Sequence, residues 1–239
     1  MKNEYYDQRW RSEGIEERPP NQLRVDLVAS EVVRWVGAEM LESPKIVDIG
    51  CGNGWILDEV NTRLKGRCHI SGLEPSPVGV ENTSKKIPSA DIRQGTLSQC
   101  DFSSGFDVVI CSEVLEHVED QEEFIDRLFY FLRKDGLLVL TTPNGRYRES
   151  YFNTTDVDPQ PVENWLDRDE LSSRISKHSD QVVVSTFELD YFYLTNSGID
   201  KCKKIFWRIK GGWRFWRLME RMMEVKLGLG LYLMVVAKS

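Results

Sequence analysis

The chain has 239 residues, 41% hydrophobic and 29% charged, which is the balance of a soluble globular protein with one domain and an elaboration. Its net charge of -7 argues against a body built to bind nucleic acid. The five cysteines (Cys51, Cys68, Cys100, Cys111 and Cys202) form no C-x-x-C pair, which argues against a zinc ribbon or a disulfide framework and suits a reducing compartment.

The first residues, Met1 to Tyr6, hold no apolar core for a signal peptide. Leu23 to Met40 has helical apolar spacing, after Pro19-Pro20. Lys45–Ile49 reads as strand one, and a glycine turn leads into a helix from Trp55 to about Arg63. Cys68–Glu74 is strand two. The next helix is Pro77 to Lys86, with Ser76 as its cap and Pro77 suited to the first turn. Asp91–Gln94 is a short third strand, and the continuous apolar run Phe106–Cys111 is a buried fourth. A helix over Gln121–Arg133 stops at Lys134-Asp135-Gly136, and strand five follows at Gly136–Thr142. Arg146 to Pro161 reads as a loop over the site. Asp167 or Asp169 caps a helix to about Lys177. Gln181–Phe192 and Gly228–Ala237 are the last strands. This alternation predicts a parallel sheet covered by helices. The longest uncharged apolar run, Leu227 to Ala237, falls short of the about 20 residues that cross a bilayer, so a cytoplasmic protein is expected.

The segment Val47-Asp48-Ile49-Gly50-Cys51-Gly52-Asn53-Gly54-Trp55 is the most informative in the chain. A glycine turn after the first strand lets a ligand approach bare backbone. A carboxylate about 20 residues on, here Glu74, can grip a ribose diol. The G-x-G-x-G spacing differs from the G-x-G-x-x-G of dinucleotide sites, and no P-loop Lys follows. A ligand with a ribose but no phosphate fits better.

These residues resemble the first motif of class I S-adenosylmethionine (SAM)-dependent methyltransferases. Glu74-Pro75-Ser76 is similar to the second motif, whose acid holds the ribose hydroxyls. Gln94-Gly95-Thr96-Leu97 is similar to the block that recognises adenine, although Thr96 stands where the family usually has Asp; the N6 contact is then weakened, or moves to Ser98 or Gln99. Phe106 to Val118, ending Ser112-Glu113-Val114-Leu115-Glu116-His117-Val118, resembles the ubiquinone-biosynthesis O-methyltransferases and their small-molecule relatives, as does Leu132 to Asn144. The resemblance implies a Rossmann-like, seven-stranded, mostly parallel α/β sheet with helices on both faces, its last strand inserted antiparallel between strands five and six. It implies SAM as cofactor and S-adenosylhomocysteine (SAH) as product. The cofactor would meet Arg24, Asp48, Gly50, Cys51, Gly52, Gly54, Glu74, Pro75, Ser76, Thr96, Leu97, Ser112 and Glu113.

His117 is the candidate general base, since an imidazole takes a hydroxyl proton near neutral pH; otherwise it packs at a helix start without chemistry. Glu113, Glu116 and His117 have a second reading as ligands of a hard divalent ion, as in small-RNA 3′-end 2′-O-methyltransferases, and the two acids have a third as solvated groups at a helix start. Arg24 is either a partner of the SAM carboxylate or a surface arginine. Tyr5 to Trp10 resembles the segment that closes over the cofactor; otherwise it is an exposed tail.

The charge is unevenly spread. Residues 201–226 hold nine Lys or Arg against two Glu, a local +7 in a chain that is otherwise -14. Their interleaved Trp, Phe and Met suit a membrane interface, nucleic acid, or a helical cap buried on the sheet.

The organisation expected is one domain over 1–239, with an N-terminal helical lid at 1–44 and a helical basic-aromatic insert at 196–227 between strands six and seven. The function expected is O-methylation of a small-molecule or lipid-linked acceptor, with no DNA partner and with peripheral contact at the inner membrane surface through 201–226. A metal-dependent RNA methyltransferase and a SAM-binding protein without turnover are the alternatives.

Overall fold

The computed structural model describes residues 2–13, 21–100, 102–148, 160, 162–189 and 230–239. Strands β1 (Lys45–Ile49), β2 (His69–Glu74), β3 (Asp91–Gln94), β4 (Phe106–Ser112), β5 (Leu132–Pro143), β6 (Gln181–Leu189) and β7 (Gly230–Lys238) form one seven-stranded sheet. Its order is β3-β2-β1-β4-β5-β7-β6. β1 to β5 pair in parallel, and β7 runs antiparallel to both β5 and β6. The mostly parallel, Rossmann-like architecture and the inserted last strand are those the sequence leads to.

The apolar runs of the central strands are buried on both faces, as a covered parallel sheet requires. Alternate residues serve opposite layers. Ile46, Val108, Ile110, Leu137 and Val139 pack against helices α2 (Gln22–Ala38) and α3 (Trp55–Arg63). Val47, Ile49, Val109, Cys111, Leu138 and Leu140 pack against α5 (Gln121–Phe131) and α6 (Arg168–Ile175). Strand order reverses between β1 and β4, which opens a crevice at their carboxyl ends, where ligands of such sheets bind. Two further helices flank the crevice, α1 (Lys2–Glu13) and α4 (Pro77–Lys86).

Side chains close the helix starts. Asn21 caps α2, Ser76 caps α4 with Pro77 in its first turn, and Asp120 caps α5. Of the two aspartates considered for α6, Asp167 is the cap, in a reciprocal box with Glu170.

Most boundaries fall within a few residues of expectation, and the largest difference lies where α5 meets β5. α5 ends at Phe131 rather than Arg133, and strand five begins at Leu132 rather than Gly136. Leu132 pairs with Phe106, so sheet pairing overrides the helix propensity of Leu132 and Arg133. The Gly105 amide donates to the Phe131 carbonyl at 2.9 Å and closes the helix end. Among the described residues no helix is long and apolar enough to cross a membrane. The expected insert at 196–227, and most of the loop from Arg146 to Pro161, lie outside the described residues.

Candidate functional site

β1 ends in the turn Gly50 to Gly54, which is tied to β2 because the amides of Gly50 and Cys51 donate to the Leu73 carbonyl at 2.7 and 3.1 Å. Gly50 has φ +81°, and a β-carbon there would lie 2.4 Å from Val114 Cγ2. Only glycine satisfies both conditions, which leaves bare backbone facing the crevice.

Glu74 ends β2 and is only 3% exposed. Its Oε2 accepts from the Gly52 amide at 2.9 Å, and its Oε1 accepts from the Ser76 amide at 3.0 Å and the Trp10 indole N–H at 3.2 Å. Burial pushes its pKa up, and these donors work against that shift.

A cavity of about 480 Å³ opens over these groups. Of the residues expected at the cofactor, Gly50, Glu74, Pro75, Thr96, Leu97 and Glu113 line it, together with His117. Tyr6 and Trp10 of α1 line it as well.

The other expected residues stand behind the wall. Asp48 is 2% exposed beneath the turn, its Oδ1 has no hydrogen-bond partner, and burial with the nearby Glu74 pushes its pKa up to about 8. The Cys51 thiol turns into the core against Gly72, so this residue offers the cavity no side chain, and burial raises its pKa. Gly52 is covered by the Trp10 ring, and Gly54 abuts Thr83. The Ser76 hydroxyl is used by the α4 cap and by Asp7. Ser112 Oγ bonds Thr141 Oγ1 at 2.8 Å. Arg24 sets Nη1 3.4 Å from Glu113 Oε2, and its Nε is buried without a partner.

At the β3 exit, Thr96 Oγ1 donates to Gln99 Oε1 at 3.1 Å and lies 3.0 Å from Ser98 Oγ. Ser98 faces the cavity and Gln99 braces Thr96 from behind. The opposite wall was not foreseen. It is the start of α5, with Glu119, Asp120, Glu123 and Arg127. Arg127 bonds Glu123 Oε1 at 3.1 Å and the Leu97 carbonyl at 3.2 Å, joining this wall to the β3 loop. The i,i+4 spacing of Glu123 and Arg127 was readable in the sequence, but the face it occupies was not.

Beyond β4, Glu113 adopts φ +57°, and its carboxylate accepts from Thr141 Oγ1 at 2.9 Å. Burial pushes its pKa up, opposed by Arg24. Glu116 is 2% exposed and accepts from Thr142 Oγ1 at 3.0 Å. Burial, and then Glu113, push its pKa well up. Glu116 is therefore buried rather than solvated, whereas Glu113 lines the cavity. His117 closes the short 3-10 turn Leu115–His117. Its Nδ1 lies 3.0 Å from the Val162 carbonyl, which can only accept, so Nδ1 carries a proton, and Nε2 lies 3.7 Å from Glu116 Oε1. Among the described residues no three His, Cys, Asp or Glu are gathered to hold a metal, so the geometry does not form the metal triad of Glu113, Glu116 and His117.

SAM offers a ribose diol, an ammonium and a carboxylate. Glu74 and Glu113 at the cavity wall answer the diol and the ammonium, around a backbone cradle that a β-carbon would fill, and the unpartnered atoms of Asp48 and Arg24 lie behind that wall. The residues fit the cofactor.

Comparison with known proteins agrees. Residues 22–186 match the methyltransferase domain family. The ubiquinone biosynthesis O-methyltransferase of Bradyrhizobium sp. (strain ORS 278) is 33% identical over 132 residues, 54% of this chain and 50% of that protein. The mitochondrial ubiquinone biosynthesis O-methyltransferase of Schizosaccharomyces pombe is 35% identical over 130 residues, 51% of this chain and 45% of that protein. The chain thus spans about half the length of the curated relatives it matches. Among solved structures, a SAM-dependent methyltransferase of Thermotoga maritima, described as a possible histamine N-methyltransferase, superposes with a TM-score of 0.57 at 18% identity, covering 99% of this chain and 94% of that one. At that identity it speaks for the fold alone. The family match and the fit of the cavity lead to one assignment: the chain belongs to the class I SAM-dependent methyltransferases, with SAM as its cofactor.

Proposed function

We propose that the protein methylates an oxygen of a small-molecule or lipid-linked acceptor. The observation that supports this most is the orientation of His117 at the cavity wall, whose Nδ1 donates to the Val162 carbonyl and whose Nε2, 3.7 Å from Glu116 Oε1, is the nitrogen left to exchange a proton with an acceptor. The names of the ubiquinone-pathway relatives point to the same chemistry. When bound, SAM supplies an electrophilic methyl group. Glu74 would fix its ribose, Glu113, braced by Arg24, would meet its amino-acid end, and His117 would accept the acceptor's hydroxyl proton. Tyr6 and Trp10 narrow the cavity and limit water. Tyr6, pushed up to about 12 by burial, serves as a neutral donor, and here it donates to Gln160 Oε1 at 2.9 Å.

The test is transfer of labelled methyl from SAM into an extract of the source cells. Wild type labels a product whose methyl, located by mass spectrometry and proton NMR, sits on oxygen rather than on nitrogen or carbon. His117→Gln lowers that transfer roughly 10²–10⁴-fold with SAM binding retained. A methyl found on nitrogen or carbon, or undiminished transfer by the variant, overturns the reading. Metal-dependent RNA methylation has no supporting observation among the described residues.

A further inference from the structure

Glu74 is almost saturated before any ligand arrives. A carboxylate has about four acceptor positions, and Gly52, Ser76 and Trp10 fill three of them. A ribose presents two vicinal hydroxyls. Both can donate to Glu74 only if one of the three resident donors leaves. The Gly52 and Ser76 amides are backbone groups, fixed by the glycine turn and the α4 cap. Trp10 is a side chain on a separate helix, and its bond is the longest of the three at 3.2 Å.

The same indole lies on the glycine turn. A β-carbon at Gly52 would come within 2.9 Å of Trp10 Cη2. α1 is pinned in this position by Asp7, which accepts from the Ser76 hydroxyl, and by Asn82, which donates to the Trp10 carbonyl at 3.3 Å. The two pins hold on to α4 rather than to the cavity, so α1 can keep both while the indole swings.

We propose that Trp10 is a gate that competes with the cofactor's ribose for Glu74, so that binding SAM or SAH requires the indole to leave Oε1. The proposal rests on the reading that Glu74 grips the ribose. It gives Trp10 the opposite sign from a residue that merely closes over the cofactor: removing its N–H tightens binding.

The test uses the full chain and SAH. Calorimetry compares wild type, Trp10→Phe and Glu74→Gln. The chain has seven tryptophans, so protein labelled with 5-fluorotryptophan gives seven fluorine signals, and the one missing from Trp10→Phe is that of Trp10. Trp10→Phe is expected to bind SAH about 3- to 10-fold tighter, as removal of one competing hydrogen bond implies. SAH is expected to move the Trp10 signal in wild type. An SAH analogue lacking both ribose hydroxyls should bind wild type and Trp10→Phe equally. Equal or weaker binding of SAH by Trp10→Phe, with Glu74→Gln weakened, overturns the gate and leaves the ribose reading standing. Wild-type affinity in Glu74→Gln overturns the ribose reading itself. The other six fluorine signals report whether each variant keeps the fold.

Discussion

Val114 Cγ2 stands over the backbone of Gly50, so close that a β-carbon on Gly50 would meet it at 2.4 Å. The contact joins the β1 exit to the β4 exit across the point where strand order reverses. Gly50→Ala incurs two penalties there. The left-handed backbone costs about 1–2 kcal/mol for an alanine, and the methyl collides with Val114. We expect a folded protein with a lower melting temperature and SAH affinity reduced at least about 10-fold. Adding Val114→Ala removes the collision but not the backbone penalty, so the double variant recovers only part of the loss. Full recovery would show that backbone conformation at Gly50 is unimportant.

Asp48 makes stability depend on pH in an unusual direction. Its pKa rises from 3.8 to about 8 on folding because it is buried beside Glu74. Between those values the unfolded chain has lost a proton that the folded chain keeps. The contribution of Asp48 to stability is therefore greatest below about pH 4, falls as pH rises towards 8, and then levels. Glu113 and Glu116, also raised by burial, slope the same way. The informative quantity is thus the difference between wild type and Asp48→Asn, measured by urea unfolding without cofactor. We expect the variant to have the flatter profile, by up to about 1.4 kcal/mol per pH unit. Parallel profiles would mean that Asp48 keeps its charge in the fold.

The elements that meet the ligand were the most legible in the sequence. β1, α3, α4 and β3 have the expected boundaries; β1 is a short apolar run, and α3 and α4 open at local signals, Gly54 before α3 and Ser76-Pro77 before α4. Glu74 could be placed because its chemistry depends on strand and turn spacing alone. What the sequence hid depends on contacts distant along the chain. The bond from His117 to Val162 spans 45 positions, and that from Trp10 to Glu74 spans 64. No periodicity encodes either. The burial of Glu116 was hidden for the same reason: an acid after a strand reads as solvated until Thr142 is seen to donate to it.

Asp167 tests local energetics away from the cavity. Its Oδ1 accepts from the amides of Asp169 and Glu170 at 2.9 Å each, and Glu170 Oε2 accepts from the Asp167 amide at 2.9 Å. The helix it starts is anchored by Leu171 and Ile175, both fully buried. Asp167→Ala should lower stability by about 1 kcal/mol, a fall of roughly 2–4 °C in melting temperature for a chain of this size. SAH affinity should be unchanged, because α6 contributes nothing to the cavity wall. A matching loss of affinity would reveal coupling between α6 and the site.

The charge asymmetry of the chain leads to the last prediction. Residues 201–226 hold a net +7 amid aromatics, while the rest of the chain is -14. A basic residue near an anionic bilayer contributes about 1 kcal/mol, so several acting together recruit a protein reversibly, and salt releases it. A lipid-linked acceptor would be presented at such a surface. We expect the protein to co-sediment with vesicles containing phosphatidylserine at low salt and to stay in solution with neutral vesicles. Replacing Lys203, Lys204 and Arg208 with Glu changes the local charge by six units and should abolish sedimentation without altering SAH affinity. Wild type remaining in solution with anionic vesicles at low salt would remove the membrane from the proposal. The acceptor would then be a free small molecule, and the basic segment would be left to contact it directly: Trp207→Ala or Trp213→Ala would raise the acceptor KM with little change in SAH binding.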